Sequence, residues 1–146
     1  MGFKYNRFAG DPPTYEELRA KPGTYKLGQA VTIKDGIIAP LSGAVTTTPP
    51  YITVFEGTIP ASPAEGANWL GGKGDRVPVA RIDASVFSAP LSADTANLAV
   101  GDFLQVAADG QSVNKTAAGS FEVTGFDGNK AGNIVYGRFV AVAKKV

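Results

Sequence analysis

The chain has 146 residues, of which 18% are charged, and a formal net charge of +1 at pH 7. This length fits one domain with a single core, and the near-neutral charge gives no electrostatic reason to bind nucleic acid or a membrane. The sequence contains no cysteine and no histidine, which excludes disulfides, thiolate metal sites and the commonest general bases. We therefore expect no cofactor, no metal and no enzymatic activity.

The first 24 residues are richer in aromatic and basic side chains than the rest of the chain. The aromatic residues are Phe3, Tyr5, Phe8 and Tyr15, and the basic residues include Lys4, Arg7, Arg19 and Lys21. Aromatic residues and arginine are the usual anchors of protein interfaces. We therefore predict an extended N-terminal arm over residues 1–24 that binds a partner through Phe3, Tyr5, Arg7, Phe8 and Tyr15. The alternative is that these aromatic side chains cover the domain's own core.

The second half of this arm has a helix-start pattern. In Thr14-Tyr15-Glu16-Glu17 the side chains of Thr14 and Glu17 can each bond to the other residue's backbone amide, as in a capping box. This pattern predicts a helix of about two turns that ends at Pro22, too short to be stable without tertiary support.

From Thr24 onward the apolar residues alternate with polar ones, as in β-strands. Asp35-Gly36 lies between two apolar runs and predicts a tight hairpin, because both central residues of a type I′ turn need a positive φ. Residues 51–56 alternate as well, and neither face of this strand is charged before Glu56. We therefore expect the strand to be covered on both sides.

Residues 57–76 form one long irregular stretch that contains the only tryptophan, Trp69. Loops of this length are uncommon in compact domains unless they have a function. A tryptophan at a loop tip would expose a large apolar surface, so we predict that Trp69 also binds a partner. Pro78, in the strand-like run that follows, predicts an edge strand or a strand start, and residues 92–98 predict a short helical turn.

The last third has the clearest strand pattern. Turn signals at Asp109-Gly110 and Asp127-Gly128 separate apolar runs, Gly125 predicts a bulge, and residues 134–142 predict a final long strand. The chain is therefore expected to be all-β, an antiparallel β-barrel or sandwich with an extended N-terminal arm and at most one or two short helices. The expected organisation is an arm over 1–24 and a β-rich body over 25–146.

Four runs in this part carry a resemblance to a known family. They are Val100-Gly101-Asp102-Phe103-Leu104, Ala108-Asp109-Gly110, Ala118-Gly119-Ser120-Phe121-Glu122-Val123 and Val135-Tyr136-Gly137-Arg138-Phe139-Val140. With them the chain resembles the small decoration, or cement, proteins of tailed-bacteriophage capsids. The resemblance implies a β-rich body, a trimer or other symmetric homo-oligomer, an arm that contacts the major capsid protein, and no catalysis. It also implies a place on the virion after synthesis in the host cytoplasm.

The composition favours the same function, since many small residues and few charges suit close packing of subunits. We expect a structural protein that binds the outside of an assembled capsid and stabilises it. The alternative is a head-fibre, tail or receptor-binding module that recognises a host surface or a glycan and depends on Trp69. A third hypothesis is an enzyme that uses two carboxylates among Glu56, Asp75, Asp83 and Glu122, but no sequence feature brings any two of them together.

Overall fold

The computed structural model describes residues 2–10, 14–21, 25–26, 28–45, 51–53, 68–69, 76–81, 85–116 and 118–145. Within these ranges the chain forms thirteen β-strands and no helix, which confirms the prediction of an all-β protein. The strands are β1 (Lys4–Gly10), β2 (Thr14–Ala20), β3 (Tyr25–Lys26), β4 (Ala30–Lys34), β5 (Ile37–Pro40), β6 (Tyr51–Thr53), β7 (Asn68–Trp69), β8 (Arg76–Arg81), β9 (Ser85–Pro90), β10 (Phe103–Val106), β11 (Val113–Lys115), β12 (Ala118–Phe126) and β13 (Ile134–Lys145).

The described strands form one open sheet, one closed barrel and one small ribbon. Six strands make the open sheet in the order β1-β9-β13-β12-β10-β11, with every pair antiparallel. Five strands, β2-β5-β4-β6-β8, close into a barrel in which only the short β2–β5 pair is parallel. β3 and β7 pair with each other as a two-stranded sheet. A barrel and an open sheet therefore occur in the same molecule.

Adjacent residues of the barrel strands contribute to two different cores. On β8, Ala80 packs into a large core shared with the six-stranded sheet, while its neighbour Val79 packs inside the barrel. On β6, Ile52 belongs to the shared core, and Thr53 is also fully buried. Because successive side chains of a strand point to opposite faces, such strands have no solvent face. The described part of the run 51–56, residues 51–53, confirms the predicted coverage on both sides.

The tight turn at Asp35-Gly36 and the bulge at Gly125 are both seen in the backbone. Asp35 and Gly36 have φ values of 55° and 76° and join β4 to β5, with Lys34 opposite Ile37. This is the geometry of a type I′ turn, and the prediction is confirmed. The bulge predicted at Gly125 is confirmed too, because the pairing of β12 with β13 shifts register between Val123 and Gly125.

Three local predictions are wrong. The segment from Thr14 to Ala20 is a strand paired with β8, not a capped helix. Its residues Leu18 and Ala20, two positions apart, both pack on the barrel core, which suits the period of a strand and not that of a helix. Residues 92–98 form turns without a helix. Pro78 is the third residue of β8, a strand with β2 on one side and β6 on the other, so it does not mark an edge.

Two of the described strands lie within the segment 1–24 that the sequence predicts as an arm. β1 is a strand of the six-stranded sheet and β2 is a strand of the barrel. The segment predicted as an arm separate from the body therefore supplies one strand to each of the two main sheets. The division into an arm over 1–24 and a body over 25–146 stays a prediction.

Candidate interaction surface

The six predicted partner-binding residues are distributed over three sheets. Phe3, Tyr5, Arg7 and Phe8 lie in or directly before β1, Tyr15 lies in β2, and Trp69 lies in β7. Among these six, the structure describes the side chain of Phe3 only. The described backbone therefore brings four of the predicted positions together on β1 and leaves the other two elsewhere.

Phe3 is a core residue of this chain, and its role in binding a partner stays a prediction. Only 2% of its surface is exposed. Its ring centroid lies 5.8 Å from that of Phe121 and 5.5 Å from that of Phe139, within the distances at which aromatic rings attract each other. The alternative stated for the aromatic residues of the arm, coverage of the domain's own core, describes Phe3.

A glycine with a positive φ allows the backbone of Phe3 to approach the body. The Phe3 amide donates a hydrogen bond to the Gly28 carbonyl at 2.9 Å, and Gly28 has a φ of 73°. A Cβ atom at Gly28 would collide with the Phe3 carbonyl oxygen. We call Gly28, Phe121 and Phe139 the Phe3 cradle, since they contact the backbone and the ring of this residue.

Thr53 holds the turn that contains Gly28. Its hydroxyl donates to the Lys26 carbonyl at 2.6 Å and accepts from the Gln29 amide at 2.9 Å, while the Gly28 amide donates to the Thr53 carbonyl at 2.8 Å. The Gln29 side chain accepts from the Lys26 amide at 2.8 Å. Because Thr53 is fully buried, these bonds satisfy polar groups that water cannot reach. A buried barrel residue thus fixes the turn on which Phe3 rests.

β1 is the outermost strand of the six-stranded sheet, and in the described residues no strand pairs with its outer edge. Its pairing with β9 is regular only at Lys4 and Tyr5. From Tyr5 to Gly10 β1 advances five residues, while its partner positions on β9 move by two, from Phe87 to Ser85. An edge strand offers unpaired backbone groups to another chain. The positions of Tyr5, Arg7 and Phe8 thus lie on one of the two edge strands of this sheet, of which β11 is the other.

Sequence reasoning missed a second surface, formed by residues 91–102 and 127–133. These connections lie at the same end of the sheet because β9 and β12 both run antiparallel to β13. The Thr95 amide donates to the Asn129 carbonyl at 2.7 Å, and the Ala131 amide donates to Asp94 Oδ1 at 2.8 Å. We call this the loop surface. No local sequence signal predicts it, because these hydrogen bonds join two distant connections.

The charges beside the loop surface are paired within the chain. Lys115 Nζ lies 3.0 Å from Asp102 Oδ2, and Lys130 Nζ lies 3.7 Å from Asp94 Oδ2. Val100, at the tip of the turn that ends at Asp102, is 65% exposed. The loop surface thus combines two ion pairs with one exposed apolar side chain.

The described residues show few features of a catalytic or metal site. In this part of the chain no group of three or more acidic residues could hold a metal ion, and no helix is long and apolar enough to cross a membrane. Of the carboxylates considered above, Glu122 lies in β12 opposite Phe103, and the other three fall outside the described residues. Burial raises the pKa of Tyr25 above its ordinary value, and its hydroxyl donates to the Lys21 carbonyl at 2.7 Å.

Comparisons with family models, with curated proteins and with solved structures give no match to this chain. The fold and the two surfaces define an all-β protein with a barrel, an open sheet and an edge strand at its N-terminus.

Proposed function

We propose that this chain is a structural virion protein that binds the outside of an assembled capsid and stabilises it as a decoration protein. Its partner is the major capsid protein, and its working form is a homo-oligomer, with a trimer favoured. The observation that carries the proposal is the position of β1 at the edge of the six-stranded sheet, with Tyr5, Arg7 and Phe8 on that strand.

The resemblance to decoration proteins falls on the same sheet. Its four runs supply the start of β10, the turn between β10 and β11, most of β12 and much of the first half of β13. The middle strands of the sheet therefore have the family-like sequence, and its edge carries the aromatic and basic positions. This arrangement supports the proposal that a β-rich module presents its N-terminal strand to the capsid.

The proposed stabilisation follows from mass action. A protein that binds the assembled shell and not its free subunits adds RT ln(1 + [L]/Kd) per site, about 4 kcal/mol at a thousandfold excess over Kd. Occupation of many equivalent sites multiplies this term over the shell. A symmetric oligomer suits a symmetric shell, since each subunit then meets the same local surface.

Co-sedimentation of the full chain with expanded shells of the same virus's major capsid protein tests the proposal. We expect saturable binding and a higher melting temperature of the shell. Arg7→Glu should weaken binding by about tenfold or more, as expected for an interface arginine. Lys34→Glu makes the same charge change on the exposed tip of the β4–β5 hairpin and should leave binding unchanged.

Two results would count against the proposal. Wild-type chain that stays in the supernatant at every shell concentration would overturn the capsid function. Binding to a glycan array that Trp69→Ala abolishes, together with no binding to shells, would favour the receptor-binding alternative instead. Light scattering gives the oligomeric state, and a mass of one chain at micromolar concentration would refute the homo-oligomer.

A further inference from the structure

We propose that Asp35, in the turn between β4 and β5, is a site of spontaneous covalent modification at which the chain converts aspartate to isoaspartate. An Asp-Gly pair is open to this reaction because glycine has no side chain to shield its nitrogen from the aspartate carboxyl carbon. The sequence contains three such pairs, which begin at Asp35, Asp109 and Asp127. Their surroundings differ, and Asp35 is the least protected of the three. The inference is independent of the proposed function.

The reaction needs only the chain and water. The Gly36 nitrogen bonds to the Cγ atom of Asp35, and one carboxyl oxygen leaves as water with the amide proton and a proton from solvent. Water then opens the resulting succinimide ring at either carbonyl. Opening at Cγ restores aspartate, whereas opening at the main-chain carbonyl gives isoaspartate, in which the backbone runs through the β-carbon. Each cycle therefore exchanges one oxygen of the chain for an oxygen of the solvent.

Both reacting groups at Asp35 are free of hydrogen bonds. Asp35 and Gly36 form the exposed tip of the β4–β5 hairpin. Among the described residues, neither the Asp35 carboxylate nor the Gly36 amide has a hydrogen-bond partner, and the space beside Gly36 is open. Residues 32–37 are all exposed, so this tip can open locally while the barrel stays folded. The nitrogen can therefore approach the carboxyl carbon without the loss of a hydrogen bond from either group.

Asp109 is protected at both reacting groups. Its Oδ1 atom accepts hydrogen bonds from the Gln111 amide at 2.8 Å and from the Ser112 hydroxyl at 3.0 Å. The Gly110 amide, whose nitrogen would have to attack, donates to the Ala107 carbonyl at 2.9 Å. Release of one hydrogen bond to a charged group lowers the population of the reactive form by about tenfold. Conversion at Asp109 should therefore be slower than at Asp35 by at least this factor.

Asp127 lies between these two cases. The Tyr136 hydroxyl donates to its Oδ2 atom at 3.4 Å, a long and therefore weak hydrogen bond. The Asn133 side chain lies so close to Gly128 that a Cβ atom at this glycine would collide with it. A succinimide ring consequently has less room at Asp127 than at the hairpin tip. The expected order of rates is Asp35, then Asp127, then Asp109.

Conversion at Asp35 would change the hairpin that carries it. A type I′ turn has two central residues, and here Lys34 lies directly opposite Ile37. Isoaspartate adds one carbon to the main chain of this turn. The next pair joins Ile33 to Ile38, and Ile38 is buried in the barrel core. The modification would therefore loosen strand pairing directly beside that core.

Water enriched in heavy oxygen tests the inference on the full wild-type chain. The folded protein is incubated in this water at mildly acidic to neutral pH and digested in ordinary water. Electron-transfer mass spectrometry of the peptides then locates the label and distinguishes isoaspartate from aspartate. We expect labelled isoaspartate first at Asp35, at a rate about tenfold or more above that at Asp109. The same chain in concentrated urea is the control, because all three Asp-Gly pairs should then react at similar rates.

Ser112→Ala is the matched variant. It removes a hydrogen bond to Asp109 Oδ1 and should raise the labelling rate at Asp109 by about tenfold, while the rate at Asp35 stays the same. Far-UV circular dichroism checks that the variant keeps its fold. Labelling of the folded wild type that is equal at the three pairs, or faster at Asp109 or Asp127, would overturn the inference. So would an unlabelled Asp35 after a time at which the chain in urea is labelled there.

Discussion

Phe3→Ala distinguishes a core residue from a partner-binding residue. Replacement of a buried phenylalanine by alanine costs about 3–5 kcal/mol through lost transfer energy and the cavity that remains. The ring pairs with Phe121 and Phe139 contribute about 0.5–1.5 kcal/mol each to this loss. For a chain of this size, the substitution should lower the melting temperature by roughly 10 °C.

The assays are urea denaturation for the free energy of unfolding and thermal denaturation for the melting temperature, both followed by far-UV circular dichroism, with the fluorescence of the single tryptophan as a second probe. Phe126→Ala is the matched control, because Phe126 lies at the end of β12 and is 36% exposed. It should cost about 1 kcal/mol or less. A Phe3→Ala variant as stable as Phe126→Ala would refute the assignment of Phe3 to the core and restore the prediction of an arm that serves a partner.

Three further substitutions test the turn and the barrel. Gly28→Ala should lower the free energy of unfolding by about 3 kcal/mol in urea denaturation, because strain and a steric clash add. The control Gly132→Ala also has a positive φ but open space around it, so it should cost only about 1–2 kcal/mol of backbone strain. Equal losses for the two variants would contradict the steric argument. Thr53→Val should cost about 1–3 kcal/mol because it leaves buried backbone groups without a partner, and Thr32→Val, on an exposed strand position, should change the stability little. Burial raises the pKa of Tyr25, so as pH rises the unfolded state loses this proton first, and the free energy of unfolding should fall above about pH 10. A Tyr25→Phe variant should lack the part of this decrease that comes from Tyr25. An identical pH profile for the variant and the wild type would argue against the burial effect.

The Asp-Gly hairpin and the bulge at Gly125 could be predicted because their causes are local. A type I′ turn needs two residues that tolerate positive φ, and Asp35-Gly36 supplies them between two apolar runs. The helix predicted at Thr14 failed for a non-local reason. A two-turn helix gains little alone, whereas the same residues gain a full strand pairing with β8 in the barrel.

The candidate site was predicted only in part. The sequence pointed to the aromatic and basic residues near the N-terminus, and four of them lie in or next to one edge strand. It did not separate Phe3, whose ring is buried, from its neighbours, because burial depends on Phe121 and Phe139, more than a hundred residues away. The loop surface was not predicted, because it is held together by hydrogen bonds between residues 91–102 and 127–133, which are far apart in the sequence.

The sequence by itself determined the all-β class, the positions of the tight turns and the absence of histidine and cysteine chemistry. These properties follow from residue type, alternation and the local demands of φ. Only the tertiary structure decided that the first 20 residues supply one strand to each main sheet, that β8 is an inner strand despite Pro78, and that Gly28 must remain a glycine for Phe3 to reach the core. Each of these depends on contacts between residues far apart in the chain, and such contacts are formed only when the whole fold is complete.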